Sequence, residues 1–305
     1  MSKPRIAITL GDPAGIGPEI VCRAVNSLKV QRVCSPVVFG DTQTLNEYFK
    51  AGKNCELIAS SFINKKIVCG KPSAVGGKAA LGAIEKAVKY CMSGNAKALV
   101  TAPVSKESLK LAGVKYPGHT ELLAALTKSK EAAMMMVCAN ICGVMVTRHI
   151  PLSTAHLNIK TKNIVKTVKL AHSFFKKRGK KNIKTVLCAL NPHAGDNGIL
   201  GGEEKKYILP AYEILKKEGI NISKPQPADS AWLKVKNGEY DLICAMYHDQ
   251  MMIPLKCIDA NKIVNVTAGL PFVRTSPGHG TAYDIAGKGK ALPDSMIEAI
   301  LYAAK

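Results

Sequence analysis

The sequence predicts an α/β protein whose sheet is mostly parallel. Eight short apolar, β-branched runs are spread along the 305 residues, and segments of helical period lie between several of them. No internal repeat or flexible low-complexity linker interrupts the series. Runs of this kind, apolar on successive residues, suit strands covered by helices on both faces. At 47% hydrophobic and 21% charged residues, the chain has the composition of a folded globular protein. It is long enough for one large core or two smaller ones.

RIAITL (5–10) reads as the first strand and runs into TLGDPAGIGPEI, a Gly-rich turn opening a helix with Pro18 suited to its first position. Glycines there let backbone approach closely, so the turn fits an anion at the helix start or a tight strand–helix junction without ligand. The spacing is not the dinucleotide G-x-G-x-x-G. SPVVFG (35–40), AKALVTA (96–102), MMMVCA (134–139), GVMVTRH (143–149), KTVLCAL (184–190), DLICAMYH (241–248) and KIVNVTA (262–268) complete the strand set. Residues 76–94 and 203–219 carry the helical period. The second of these has acid at its start and Lys with Gly at its end.

No apolar run reaches the roughly 20 residues of a membrane span. The N-terminal apolar stretch is too short for a signal peptide, so a cytoplasmic protein is expected. Ten cysteines without a C-x-x-C pair lie in strand-like and helical runs and read as reduced, structural thiols. The net charge of +21 raises a nucleic-acid partner. Against it, only six of the 43 basic residues are arginine, the lysines are scattered, and aromatic residues make up 5%. A solvated lysine surface that favours anionic small molecules is the expectation, with neither nucleic acid nor membrane as partner.

His149, His193 and His248 each follow an apolar strand by a few polar or turn-prone residues. Ligands of open α/β sheets bind outside the carboxyl ends of strands, so three such histidines can converge. Three imidazoles with open positions form a catalytic metal site. Zinc is favoured, with magnesium, manganese or cobalt also suited to an oxygen-rich substrate. His119 and Thr120, ahead of a helical run, fit phosphate or hydroxyl contacts and equally a helix cap. Lys256, Asn265 and Arg274 recur at nine-residue intervals near strand ends, where a lysine and an arginine suit a phosphate or carboxylate. The Gly-rich segment 276–293 holds His279, Gly280 and Asp284. A carboxylate on a ribose favours NAD over NADP, and an ordinary surface loop is the alternative.

Assembled in order, GDPAGIGPE, TAPVSKE, YPGHTE, NPHAGDNG, YHDQ, VNVTAGLPFVRTS and HGTAYDIAGKGKA closely resemble the 4-hydroxythreonine-4-phosphate dehydrogenase family of pyridoxal phosphate (pyridoxine) biosynthesis. The resemblance covers nearly the whole chain. It implies metal ligands at His149, His193 and His248, and substrate contacts at His119, Thr120, Lys256, Asn265 and Arg274. It also implies an acidic site residue at Asp229. HGTAYDIAGKGKA is similar to the cofactor loop of isopropylmalate dehydrogenases, which assigns cofactor contacts to His279, Gly280 and Asp284 and implies NAD.

The same kinship implies two α/β/α domains around a cleft, as in isocitrate and isopropylmalate dehydrogenases. The expected bounds are 1–115 with 266–305 for the cofactor side and 116–265 for a metal and dimerisation domain. A homodimer with its site near the subunit interface follows. The implied reaction is oxidation of 4-hydroxythreonine 4-phosphate at C3, then decarboxylation to 3-amino-2-oxopropyl phosphate, with Lys256 and Asp229 as candidate bases. A sister activity on 4-phosphothreonate or 4-phosphoerythronate is the alternative. Phosphate acyltransfer on a related fold is disfavoured, because it needs no three-histidine site.

Overall fold

The computed structural model describes residues 3–49, 54–61, 63, 65, 67–116 and 118–305. They divide into two compact units, Met1–Ala132 with Asn261–Lys305, and Ala133–Ala260.

The first unit contains β1 (Arg5–Thr9), α1 (Gly17–Val25), α2 (Leu28–Val33), β2 (Ser35–Asp41), α3 (Thr42–Tyr48) and β3 (Glu56–Ser61). It continues with α4 (Ala74–Met92), β4 (Ala98–Thr101), α5 (Lys106–Leu111) and α6 (His119–Leu126). The second holds β5 (Ala133–Cys138), β6 (Ile141–Met145), α7 (Leu152–Asn158), α8 (Thr161–Lys177), β7 (Thr185–Leu187), α9 (Leu209–Lys217), α10 (Ala228–Lys236), β8 (Leu242–Ala245) and α11 (His248–Asp259). The chain then returns to the first unit as β9 (Val264–Ala268), β10 (Val273–Pro277) and α12 (Asp294–Ala304).

In the first unit the strand order is β3-β2-β1-β4-β10-β9, parallel except for the β9–β10 pair. In the second it is β5-β6-β8-β7, parallel except for β5–β6. All eight expected runs are strands, and the sheets are largely parallel as expected. The antiparallel β5–β6 pair follows from loop length. Ala139 and Asn140 alone join the strands, with Ala139 in the left-handed region at φ 52°, and a parallel crossover needs a dozen residues or more. Two strands escaped the sequence reading. β3 is an edge strand whose residues are half-buried or exposed, so its apolar pattern is weak. β10, VRTSP, is polar in composition yet almost wholly buried.

The core of the first unit is α4 laid on the sheet. Ala83, Ile84, Ala87 and Val88 pack against Ala7, Val37, Phe39 and Leu99. Leu122 and Leu123 of α6 join the same cluster, so residues 119–126 pack with the first unit. In the second unit, buried Val144 and Met145 of β6 and Ile243 and Cys244 of β8 form the sheet interior. α8 (Ile164, Val168, Ala171) and α11 (Met251, Leu255) pack on it. The cysteines are all free thiols.

Helix α4 begins AVGG, two poor helix formers in its first turn, and the reason is close packing on α5. A Cβ on Gly77 would lie 2.0 Å from the Ser108 carbonyl oxygen, an immovable backbone atom. Gly77→Ala should therefore destabilise the chain by about 1–3 kcal/mol, opposite in sign to the roughly 1 kcal/mol that helix propensity alone gives. Urea unfolding of the variant measures it, and a gain in stability would contradict the close packing.

Candidate active site

Strands β6, β8 and β7 are neighbours in that order, and β6 and β7 both run parallel to β8, so their carboxyl ends lie together. His149 leaves four residues after β6, and His248 is the first residue of α11, three after β8. Their ring centroids are 5.6 Å apart. Two imidazoles on one zinc ion, with nitrogens about 2.0–2.1 Å from the metal, have centroids roughly 5 Å apart, so this pair fits two positions around one ion. The pocket they share is about 250 Å³ and is lined also by Thr147, Arg148, Tyr247 and Asp249. The Asp249 carboxylate lies 2.7 Å from His248 Nδ1. With the proton on Nδ1, that contact leaves Nε2 of His248 as the ligating nitrogen.

His193 follows β7 at greater remove, and it is exposed. Among the described residues no three ligating side chains stand together as a metal set. The pair His149–His248 is thus assembled within the unit, and His193 belongs to a separate loop.

That loop is conformationally unusual. His193, Ala194, Gly195, Asp196 and Asn197 all have positive φ, between 41° and 79°. For non-glycine residues this region costs on the order of 1 kcal/mol each, and a run of five persists only if its surroundings impose it. Against the start of this loop lies Glu204, in the π-helical turn Glu204–Ile208 that precedes α9. It is 4% exposed, and its Oε1 accepts the backbone N–H groups of Leu190 (2.9 Å) and Asn191 (2.8 Å).

In the first unit Arg274 of β10 is 2% exposed. Its guanidinium donates to Thr267 Oγ1 (3.0 Å) and Thr101 Oγ1 (2.6 Å), and its Nε has no partner among the described residues. Burial pushes the Arg274 pKa down to about 10. His119, first residue of α6, also has a buried, unpartnered Nε2, and Asn265 on β9 a buried, unpartnered Oδ1. Burial, with the nearby Arg274 charge adding to it, pushes the His119 pKa down to about 3. A buried cation that, among the described residues, is met by hydroxyls alone, near a neutral imidazole, is an environment prepared for an anion. Thr120 is half-buried in the first turn of α6. Lys256 and Asp229 are exposed in the second unit, on α11 and in the first turn of α10. Lys256 lies eight positions after His248 on α11, about 12 Å along the axis.

The segment after β10 is anchored to the Gly-rich turn after β1. Asp12 is fully buried. Its Oδ1 accepts the Ala14 N–H (3.0 Å) and its Oδ2 the Tyr283 hydroxyl (2.8 Å). The Tyr283 oxygen is also 3.2 Å from Ser108 Oγ, and the Ile16 N–H donates to the Thr281 carbonyl (3.0 Å). Gly11, at φ 73°, leaves no room for a Cβ, which would lie 2.3 Å from the Pro103 carbonyl oxygen. With a carboxylate inside it, the turn is a mount for the segment 278–290, not an anion site. His279, Gly280 and Asp284 are exposed on that segment.

The family described as Pyridoxal phosphate biosynthetic protein PdxA matches residues 32–303. The chain belongs to this family. Relatives over its full length include 4-hydroxythreonine-4-phosphate dehydrogenase of Geobacter metallireducens, 39% identical across 100% of this chain and 96% of the relative. D-threonate 4-phosphate dehydrogenase of Cupriavidus necator is 38% identical across 99% and 97%. The crystal structure of a 4-hydroxythreonine-4-phosphate dehydrogenase from Burkholderia phymatum superposes with a TM-score of 0.87 at 37% identity, covering 100% of this chain and 98% of that one. Isocitrate dehydrogenase from Methylococcus capsulatus shares the fold at 15% identity and a TM-score of 0.50, over 99% and 85%. The chain is thus a PdxA-type oxidoreductase acting on a CH–OH group.

Sequence reasoning missed several groups: in the first unit Thr101 and Thr267 on the guanidinium and Asp12 and Tyr283 beneath the Gly-rich segment, and in the second unit Glu204 under the His193 loop. An acid next to glycines and an acid pair after NPHAG were the available signals, but neither names its partner.

The pKa of His119 makes a pH prediction. An unfolded histidine titrates near 6.5, so between pH 6.5 and 3 the unfolded chain holds a proton that the folded chain does not. This contribution is complete above pH 6.5 and lost as pH falls through that window, by up to about 1.4 kcal/mol per pH unit. Urea midpoints of His119→Gln between pH 7.5 and 4.5 should fall less steeply than those of the parent, and parallel curves would refute the assignment.

Proposed function

We propose that this chain oxidises the C3 hydroxyl of 4-hydroxythreonine 4-phosphate with NAD and one divalent ion, zinc by preference, and that decarboxylation to 3-amino-2-oxopropyl phosphate follows. The step belongs to pyridoxal phosphate biosynthesis and takes place in the cytoplasm. The observation that carries the reading is Arg274, a buried guanidinium that among the described residues meets no carboxylate, near His119, whose Nε2 is unpartnered among those residues, as is Oδ1 of Asn265 on β9. Such groups are costly in an empty protein and are compensated by a phosphorylated, hydroxylated ligand.

Arg274, His119, Thr120 and Asn265 bind and orient the phosphorylated substrate. His119 stays neutral at pH 7, so its Nε2 can donate to, or accept from, a substrate oxygen without changing charge. His149 and His248 would hold a divalent ion, with His193 as the third ligand, in a homodimer whose partner would help complete the site. When bound, the ion would supply Lewis-acid polarisation at the C3 hydroxyl and NAD would supply the hydride acceptor. Lys256 or Asp229 receives the hydroxyl proton as hydride leaves C3. The carboxylate is then lost as carbon dioxide, and the electron pair left behind is protonated. Asp284, exposed on the segment mounted by Asp12 and Tyr283, meets the adenosine ribose and selects NAD over NADP. The relatives named for D-threonate 4-phosphate, 38% identical, support a second reading in which the substrate lacks the amine.

NADH formation with 4-hydroxythreonine 4-phosphate and with D-threonate 4-phosphate, with and without chelator, tests both readings. Activity should vanish after metal removal and return with zinc, and His248→Ala should lower kcat/KM at least about 100-fold. Turnover that survives exhaustive chelation would sink the metal role, and equal use of NADP would sink the role of Asp284. Arg274→Lys, which keeps charge but loses the fork, should raise the substrate KM about tenfold or more.

A further inference from the structure

The proposed function gives His193 a ligating role but leaves open what holds it on its left-handed path. Glu204 is almost fully buried, and its charge is met by N–H donors of the loop itself. Oε1 takes the N–H groups of Leu190 and Asn191, and Oε2 takes the Asn191 side-chain amide at 3.0 Å. The same amide nitrogen donates to Glu203 Oε2 at 2.9 Å. The far end of the loop is pressed onto these groups. A Cβ on Gly195 would stand 2.7 Å from Glu204 Oε2, and one on Gly201 2.5 Å from Asn191 Nδ2.

We propose that Glu204 is a positioning residue for metal binding: its carboxylate clamps residues 190–201 and thereby presents the His193 imidazole as a ligand. The inference rests on the reading of His193 as a ligand. Both carboxylate oxygens face donors, so the position needs a group that only accepts. Glutamine has the same shape, yet it turns an NH2 toward a donor whichever way its amide is placed. If its oxygen takes the two backbone N–H groups, its nitrogen opposes Asn191 Nδ2. Asn191 can relieve this only by rotating its amide, which breaks its bond to Glu203.

The test is zinc affinity of the full-length protein by equilibrium dialysis, with the visible spectrum of the cobalt(II) form as a readout independent of turnover. Glu204→Gln should weaken zinc binding roughly 10–100-fold, the range for groups that orient metal ligands, and shift the cobalt bands. Glu218→Gln, which removes an exposed charge paired with Lys169 on the same unit, should change neither. Asn191→Ala should weaken binding less. In its background the glutamine amide no longer faces a donor, so the added effect of Glu204→Gln should shrink. That coupling distinguishes the clamp from general loss of stability; where Glu204→Gln folds poorly alone, Asn191→Ala carries the test, and wild-type zinc affinity in it overturns the clamp. Wild-type zinc affinity in Glu204→Gln, or strict additivity with Asn191→Ala, overturns the clamp while His193→Ala still loses zinc. Wild-type affinity in His193→Ala overturns the ligand assignment itself, and the clamp with it.

Discussion

Parallel pairing between strands is the constraint from which the candidate site follows. Parallel neighbours must leave the sheet at the same end, so whatever follows β6, β8 and β7 is gathered along one edge whatever its distance in sequence. His149 and His248 are 99 positions apart yet their rings lie 5.6 Å apart, because the strands that precede them are hydrogen-bonded neighbours. The first unit uses the same rule. The Gly-rich turn after β1 and the end of β4 are adjacent because β1 pairs with β4 in parallel, and the Asp12 N–H donates to the Pro103 carbonyl.

Within the two units three buried charged residues are met by neutral partners. Asp12 is met by an N–H and a tyrosine hydroxyl, Glu204 by N–H groups of one loop, and Arg274 by two threonine hydroxyls. A buried charge left short of partners costs several kcal/mol, so each of these ties its neighbours firmly in place. Asp12 and Glu204 are well supplied and act as anchors, for the 278–290 segment and the His193 loop. Arg274 is less well supplied, with an idle Nε and no carboxylate among the described residues, which makes it the group suited to a ligand.

Much of the fold was legible because burial on both faces leaves an apolar run that no surface segment imitates. The eight expected runs are all strands. β3 was hidden because an edge strand is half solvated. β10 was hidden because its buried face is polar, with Arg274 donating to Thr101 on one neighbouring strand and Thr267 on the other. The hairpin turn at Ala139 was equally silent, since alanine gives no sign of a positive φ.

By itself, the sequence singled out candidates for chemistry: histidines beyond strand ends, an arginine near a strand end, an acid in a Gly-rich segment. Residue type and distance from an apolar run are local properties, and local patterns survive in one dimension. Only the tertiary structure decided partnership. It paired His149 with His248 and held His193 in its own braced loop. It placed His119 near Arg274, so that burial and a neighbouring charge together lower its pKa. It also turned the GDPAG turn from a candidate anion site into a mount, because the buried Asp12 carboxylate occupies it. Contacts across a hundred or more residues are fixed by strand order and burial, and neither is written at any single position of the chain.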